Sequence, residues 1–365
     1  MFDPHPPSPE PAGAPLSRAY VVRLTAAISL IVLVSIVMML PVSYVTLKPG
    51  AVFDTLGDFE DQPMFTFGED VKTYPTTGDL DFTTVSITGP AGRVTLSEAL
   101  RAFIDPDVAI VPRSLVYPEG TTSEDSRAQS AAQLDGSKDS SRVAGLRAAG
   151  FTVPGVPEIS EVASDGAAAD VLKAGDLIRA VDGAKVDSST ATVKAVGAHR
   201  PGEVVTLDIT RGSNDSTVKV TTRPDRTDPT LPRIGVSLGT SYDFPIKLEN
   251  NVGDSIGGPS AGAMFALAIY DKLTPGSLTG GLDVAGTGEI SPDGVVGSIG
   301  GVQQKIAGAA DAGASVFLVP AANCEEALDG DTKGLTLVKV ETLDDAINAL
   351  TALAKDANAK VSSCN

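Results

Sequence analysis

The stretch Leu24 to Val45 holds 22 residues without a single charge. At about 1.5 Å per residue, such a run spans a hydrocarbon core of about 30 Å. A membrane-crossing helix over 24–45 is therefore expected, and it divides everything else into two sides. A cleaved signal peptide is the competing reading. The run is long for the apolar part of one, and the exit Leu40-Pro41-Val42-Ser43-Tyr44-Val45 lacks a small-x-small cleavage pattern. Arg18 and Arg23 precede the run and only Lys48 follows closely. That bias puts the N-terminus in the cytoplasm and the remainder outside the cell membrane. Residues 1–23 are Pro-rich and polar and read as a disordered cytoplasmic tail.

The net charge of −18 argues against binding to phosphate backbones, so nucleic acid is not an expected partner. Cys324 and Cys364 are too few for a disulfide framework or a metal site. Pairing in an oxidising compartment and a buried thiol with a free tail thiol both stay open. No metal or cofactor is implied. The chain holds only two histidines, His5 and His199, so a mechanism with a histidine base has almost nothing to draw on.

Residues 46–150 read as a membrane-proximal extracytoplasmic region. Within it, Phe82 to Thr88 has strand propensity, and Thr95-Leu96-Ser97-Glu98 is a capping box that opens a helix to about Ile104. Residues 121–150 are polar and Ser/Ala/Asp-rich, with a short helix expected through Val143 to Ala149. Residues 151–225 form a second, β-rich module. Gly175 to Gly183 reads as a strand closed by an Asp-Gly turn, followed by a helix over Ser189 to Gly197 and two strands over Val204–Thr210 and Thr217–Thr221. Residues 226–232 read as a linker, 233–355 as the last domain and 356–365 as a tail.

In the last domain, Ser260 stands in Gly257-Gly258-Pro259-Ser260-Ala261-Gly262, ahead of an apolar helix starting at Ala261. A nucleophile there gains from the helix dipole and from unpaired N–H groups able to hold an oxyanion, with Gly257, Gly258 and Ala261 as candidates. The string also fits G-x-S-x-G, the nucleophile elbow of α/β-hydrolases. That elbow needs a downstream histidine, and none follows position 199. A neutral lysine can replace it. Burial lowers a lysine pKa from about 10.4 by up to 3–5 units. Lys305 suits this role, because on a helix over 301–312 its neighbours Gly301, Val302, Gly308 and Ala309 are small or apolar. Taken singly, Ser260 would be a helix cap and Lys305 a solvated lysine; together they read as a catalytic dyad.

Two resemblances follow. Leu172 to Ile178 with Val181-Asp182-Gly183 resembles a PDZ domain of the bacterial protease-associated kind. This implies capture of an extended peptide by strand addition, with Val153, Gly155 and Val156 as the candidate carboxylate loop. The last domain resembles the proteolytic domain of the Lon proteases, an α/β domain of the ribosomal protein S5 domain 2-like kind. Gly258 to Gly262, Thr287-Gly288-Glu289-Ile290, Gly294-Val295-Val296, Ile299-Gly300-Gly301 and Gln304-Lys305-Ile306 carry that likeness. It implies Ser260 as nucleophile, Lys305 as general base and Thr287 as the group that orients the lysine. Gly257 stands where many such domains carry Asp, and no G-x-x-x-x-G-K-[ST] pattern occurs, so ATP is not an expected partner.

The whole chain thus resembles the bacterial PDZ-containing Lon-like membrane proteases, an α+β multidomain class. The implied partners are the lipid bilayer, unfolded or flexible protein substrates and a homo-oligomer, hexameric by resemblance. A membrane-tethered PDZ adaptor on an inactive Lon-like scaffold is the alternative.

Overall fold

The computed structural model describes residues 17–253 and 255–364. The expected disordered tail therefore lies mostly outside the described residues. The chain forms two compact units: one takes in the chain to Pro49 with Val85–Ser126, the other Gly50–Thr84 with Arg127–Asn365.

In the first unit, α1 runs over Arg18–Met38 and is capped by the Ser17 hydroxyl, which accepts from the Tyr20 N–H. It is long and apolar enough to cross a membrane, and none of its residues is buried. It starts earlier and ends earlier than the apolar run. Leu40 precedes Pro41, whose ring disfavours helix in the residue before it. Pro41–Val42 is already a strand, β1, and Tyr44–Asp54 a second, β2. The helix expected over 24–45 is found over 18–38. Three further elements begin or lie here: strand β3 over Asp79–Ile87, strand β4 over Val94–Thr95 paired with β1, and helix α2 over Leu96–Ile104. The capping box of Thr95 and Glu98 opens α2 as the sequence indicates. Strand β5, Ala109–Pro112, runs antiparallel to Tyr44–Leu47 and leads into a short helix α3, Arg113–Val116.

Helix α4 follows, Ser123–Ala148, far longer than expected. Its stripe of Leu134, Ser137, Ser141, Ala144 and Gly145 is buried. Apart from Leu134 the stripe is made of small residues, two of them serines, so hydrophobicity alone hides its helical period.

Within the second unit, residues 151–242 form one sheet with a helix on it. The strands are β6 (Gly155–Val162), β7 (Leu177–Val181), β8 (Val204–Arg211), β9 (Asn214–Thr221) and β10 (Val236–Tyr242), with helix α5 (Ser189–Gly197). Their spatial order is β9-β8-β7-β6-β10. The turn after β7 places Asp182 at φ 50° and Gly183 at φ 79°, the left-handed pair that a tight hairpin requires. Because β10 completes this sheet, the module extends to Tyr242 and not to residue 225. The expected linker 226–232 lies inside it.

The rest of the second unit is an α/β domain. It has helix α6 (Gly262–Leu273), strand β11 (Asp283–Gly286), the hairpin β12 (Glu289–Ile290) and β13 (Val296–Gly297), and helix α7 (Val302–Asp311). Strand β14 (Val316–Pro320), helix α8 (Cys324–Leu328), strand β15 (Thr336–Val340) and helix α9 (Leu343–Lys355) complete it. Its sheet runs in the order β15-β14-β11-β3, and these strands are all parallel. Asp79–Phe82 of β3 sits in register with Asp283–Gly286.

Much of region 46–150 thus belongs to the last domain and is not a separate membrane-proximal segment. Leu80, Phe82, Leu134 and Leu146 share one core with Phe265, Leu267 and Leu350. The β-rich module is an insertion into this domain, between α4 and α6. Its two ends lie side by side, with Gly155 opposite Tyr242 and the Asp243 N–H donating to the Pro154 carbonyl. An insertion whose ends already meet adds little closure cost to its host. Cys324 and Cys364 are joined in a disulfide that ties the C-terminal tail beside α8, and Ser363 bridges to Val338 of β15.

Candidate active site

Ser260 precedes the first turn of α6, held from below by α4. Gly257 is forced by that packing: a Cβ there would lie 2.8 Å from the Ser130 Cβ. Gly258 adopts φ +89° and its N–H donates to the Ser130 carbonyl at 3.0 Å. The Ser137 hydroxyl donates to the Pro259 carbonyl at 2.9 Å. Three successive residues of the nucleophile loop, Gly257 to Pro259, are thus positioned by two serines of α4. Gly258 is corrected from oxyanion donor to turn residue, because its N–H is already committed.

Lys305 closes the first turn of α7, which opens at Gly301 in the left-handed conformation. Its Nζ is 2.7 Å from Ser260 Oγ and 2.8 Å from Thr287 Oγ1. Thr287 donates its own proton to the Ser260 carbonyl at 3.0 Å. Its oxygen therefore accepts from Lys305, which leaves the amine lone pair for the serine hydroxyl. The Gly288 N–H donates to the same Ser260 carbonyl at 2.8 Å, so β12 is stitched to the nucleophile loop.

Lys305 is 2% exposed. Burial pushes its pKa down from 10.5 to about 7, against the Glu289 carboxylate, which raises it. Desolvation wins because the cationic form loses its water without gaining a direct carboxylate partner. The structure thus brings Ser260, Lys305 and Thr287 together, with Ser260 half-buried and the other two sealed.

Sequence reasoning missed four contributors. Ser130 and Ser137 were hidden in a polar stretch; their spacing of seven, with Ser141 four further on, was the available signal. Glu289 stands two residues after Thr287 but reaches the lysine only through the fold. Arg147 donates to the Pro292 carbonyl, Asp293 and the Val153 carbonyl, clamping the β12–β13 hairpin to the point where the inserted module departs.

The proposed peptide loop at Val153, Gly155 and Val156 is overturned. Val153 and Val156 are buried, and β6 has β7 on one side and β10 on the other. No edge is left there for strand addition. The sheet's two edge strands are β9 and β10, and a groove of about 620 Å³ runs between β10 and α5, lined by Val193, Val196, Ile234, Val236 and Leu238. Gly235 heads this strand at φ +78°, where a Cβ would lie 2.6 Å from the Gly166 backbone. The alternation in Ile234-Gly235-Val236-Ser237-Leu238 was the missed signal.

Residues 254–353 match the family model of the Lon protease (S16) C-terminal proteolytic domain, and residues 135–222 that of the PDZ domain. Lon protease of Phenylobacterium zucineum is 38% identical over 95 residues, which is 25% of this chain and 12% of that protein. Lon protease 2 of Bacillus subtilis is 32% identical over 108 residues, 30% of this chain and 19% of that protein. The chain therefore spans under a fifth of the length of these curated relatives. Among solved structures, the PDZ domain of the SdrC-like protein from Listeria monocytogenes aligns at 30% identity, covering 24% of this chain and 90% of that one, with a TM-score of 0.22. The chain carries a PDZ domain and a Lon-type proteolytic domain, the latter a serine peptidase type.

Proposed function

We propose that the chain is a membrane-anchored, ATP-independent serine endopeptidase working through a Ser260–Lys305 dyad. The observation that carries this reading is the 2.7 Å approach of a buried Lys305 Nζ to Ser260 Oγ. A lysine with a pKa of about 7 is half neutral at neutral pH and able to accept a proton. Ser260 Oγ attacks the peptide carbonyl as its proton passes to Lys305, and the Ala261 N–H at the head of α6 stabilises the oxyanion. The C–N bond breaks as the Lys305 ammonium protonates the leaving amine. Water, deprotonated by the same lysine, then releases the acyl group. Thr287 holds the lysine in line through both steps.

The β10–α5 groove takes an extended chain end, with backbone pairing along β10 and apolar side chains against Val193 and Val196. The substrates are unfolded or loosely structured extracytoplasmic or membrane proteins, since the chain has no P-loop pattern and supplies no motor of its own. Anchoring through α1 with the N-terminus in the cytoplasm is supported by its apolar length and by Arg18 and Arg23 ahead of it. The Cys324–Cys364 disulfide supports an oxidising compartment for the rest. A homo-oligomeric ring completes the reading and is tested by sedimentation of the full chain in detergent.

The function is tested with full-length protein in detergent and unfolded casein, without ATP, beside its Ser260→Ala form. Cleavage by the parent alone is expected. Intact casein in both reactions would favour the adaptor.

A further inference from the structure

Helix α2 is built the wrong way round for a helix in water. The residues it buries are small, Ala99 and Ala102. Those it exposes are large and apolar: Leu100, Phe103 and Ile104, spaced i, i+3, i+4 along one stripe. Phe103 and Ile104 are each 80% exposed, and Leu115 on α3 is 77% exposed. Single exposed apolar residues need no explanation, but a helix that turns its large apolar face outward does.

Both helices are tied to the exit of α1. The Leu96 N–H at the start of α2 donates to the Leu40 carbonyl at 2.9 Å, and β4 just before it pairs with Pro41–Val42. The Arg113 N–H at the start of α3 donates to the Ser43 carbonyl at 3.1 Å. Residues 40 to 43 are the first after the apolar helix, so both helices start where it ends. A nine-residue helix is about 13 Å long, which bounds how far Phe103 and Ile104 lie from that tie. The headgroup zone is about 5–8 Å thick on each side of the hydrocarbon. Tyr44, half-exposed at the same exit, is of the residue type that favours this zone.

We propose that α2 and α3 form an interfacial foot that lies on the outer surface of the bilayer, with Leu100, Phe103, Ile104 and Leu115 immersed at the boundary of headgroups and acyl chains. Arg101, exposed beside this stripe, reaches back to the headgroups along its own aliphatic stem. The foot gives the first unit a second attachment beyond α1 and fixes its orientation on the membrane. This inference rests on the reading of α1 as a membrane anchor.

The chain has no tryptophan, so a single one introduced by substitution is a clean reporter. Full-length Phe103→Trp, Ile31→Trp in the middle of α1 and Leu328→Trp on α8 are each reconstituted in phosphatidylcholine–phosphatidylglycerol vesicles. Quenching by brominated acyl chains is compared with quenching by aqueous acrylamide. The expected result is blue-shifted emission and strong bromolipid quenching for Phe103→Trp and Ile31→Trp, with acrylamide quenching only for Leu328→Trp. Bromolipid quenching of Ile31→Trp alone, with Phe103→Trp open to acrylamide, would overturn the foot and leave the anchor standing. A Phe103→Trp protected from both quenchers would assign the face to a second copy of the chain and also overturn it. Loss of bromolipid quenching in Ile31→Trp would remove the anchor, and the foot with it.

Discussion

If Lys305 is the base, the rate must follow its deprotonation, and burial sets where that happens. Its pKa of about 7 gives a neutral fraction of about 0.09 at pH 6 and about 0.91 at pH 8. The acylation rate of Ser260 should therefore rise about tenfold between these values and then level off. The sign is fixed by the mechanism: the base acts unprotonated, so activity is lost as pH falls through the folded pKa. A solvated lysine at 10.5 would behave differently, its rate climbing about tenfold per unit from pH 6 to pH 9 without a plateau. The assay is single-turnover acylation by an activated ester on the full-length protein in detergent, over pH 5.5 to 9.5. A rate still rising log-linearly at pH 9, or one that is flat throughout, would refute the claim that burial tunes this lysine.

Three further outcomes follow from the same geometry. Glu289 raises the Lys305 pKa, so Glu289→Gln should move the midpoint of the acylation profile to lower pH; an unmoved or raised midpoint would exclude this electrostatic link. Thr287→Val keeps the shape but removes the bonds to Lys305 and to the Ser260 carbonyl, at a cost of about 1.5–3 kcal/mol. That is a fall of about 10- to 150-fold in kcat with KM little changed, measured by steady-state peptide hydrolysis. Lys305→Met should abolish activity yet alter stability in a pH-dependent way. Between pH 7 and 10.5 the unfolded chain holds one more proton than the folded one, so parent stability climbs by about 1.4 kcal/mol per pH unit, a gain the variant lacks. Thermal unfolding of both at pH 7 and pH 9 checks this, and parallel shifts in the two proteins would contradict it.

The residues that meet around Ser260 were more legible than the architecture, for a physical reason. Ser260, Thr287 and Lys305 sit in short glycine-rich strings whose requirements are local: a tight turn, a close approach, a helix start. The capping box at Thr95 and Glu98 is local in the same way. Strand pairing is not. Nothing in Asp79–Ile87 announces that its partner lies two hundred residues later at Asp283–Gly286, on the far side of an inserted module. The edge of the PDZ sheet was misplaced for the same reason. Strand propensity marks β6 and β10 equally, and only their order in the sheet decides which one a peptide can join. Only the last turns of helix α4 were legible, because ahead of Val143 its buried positions are Leu134 and two serines, Ser137 and Ser141, too little apolar area to mark a helical face. The pairing of Cys324 with Cys364 across 40 residues depended on the tail returning to β15.

The central claim is that Ser260 becomes acylated because Lys305 removes its proton. Its most direct test is mass spectrometry of the full-length protein treated at pH 8 with a serine-directed β-lactone, with peptide mapping of the adduct. The account predicts one adduct, on Ser260, in the parent protein and none in Lys305→Ala. An adduct on another residue, or equal labelling of Ser260 without the lysine, would contradict it.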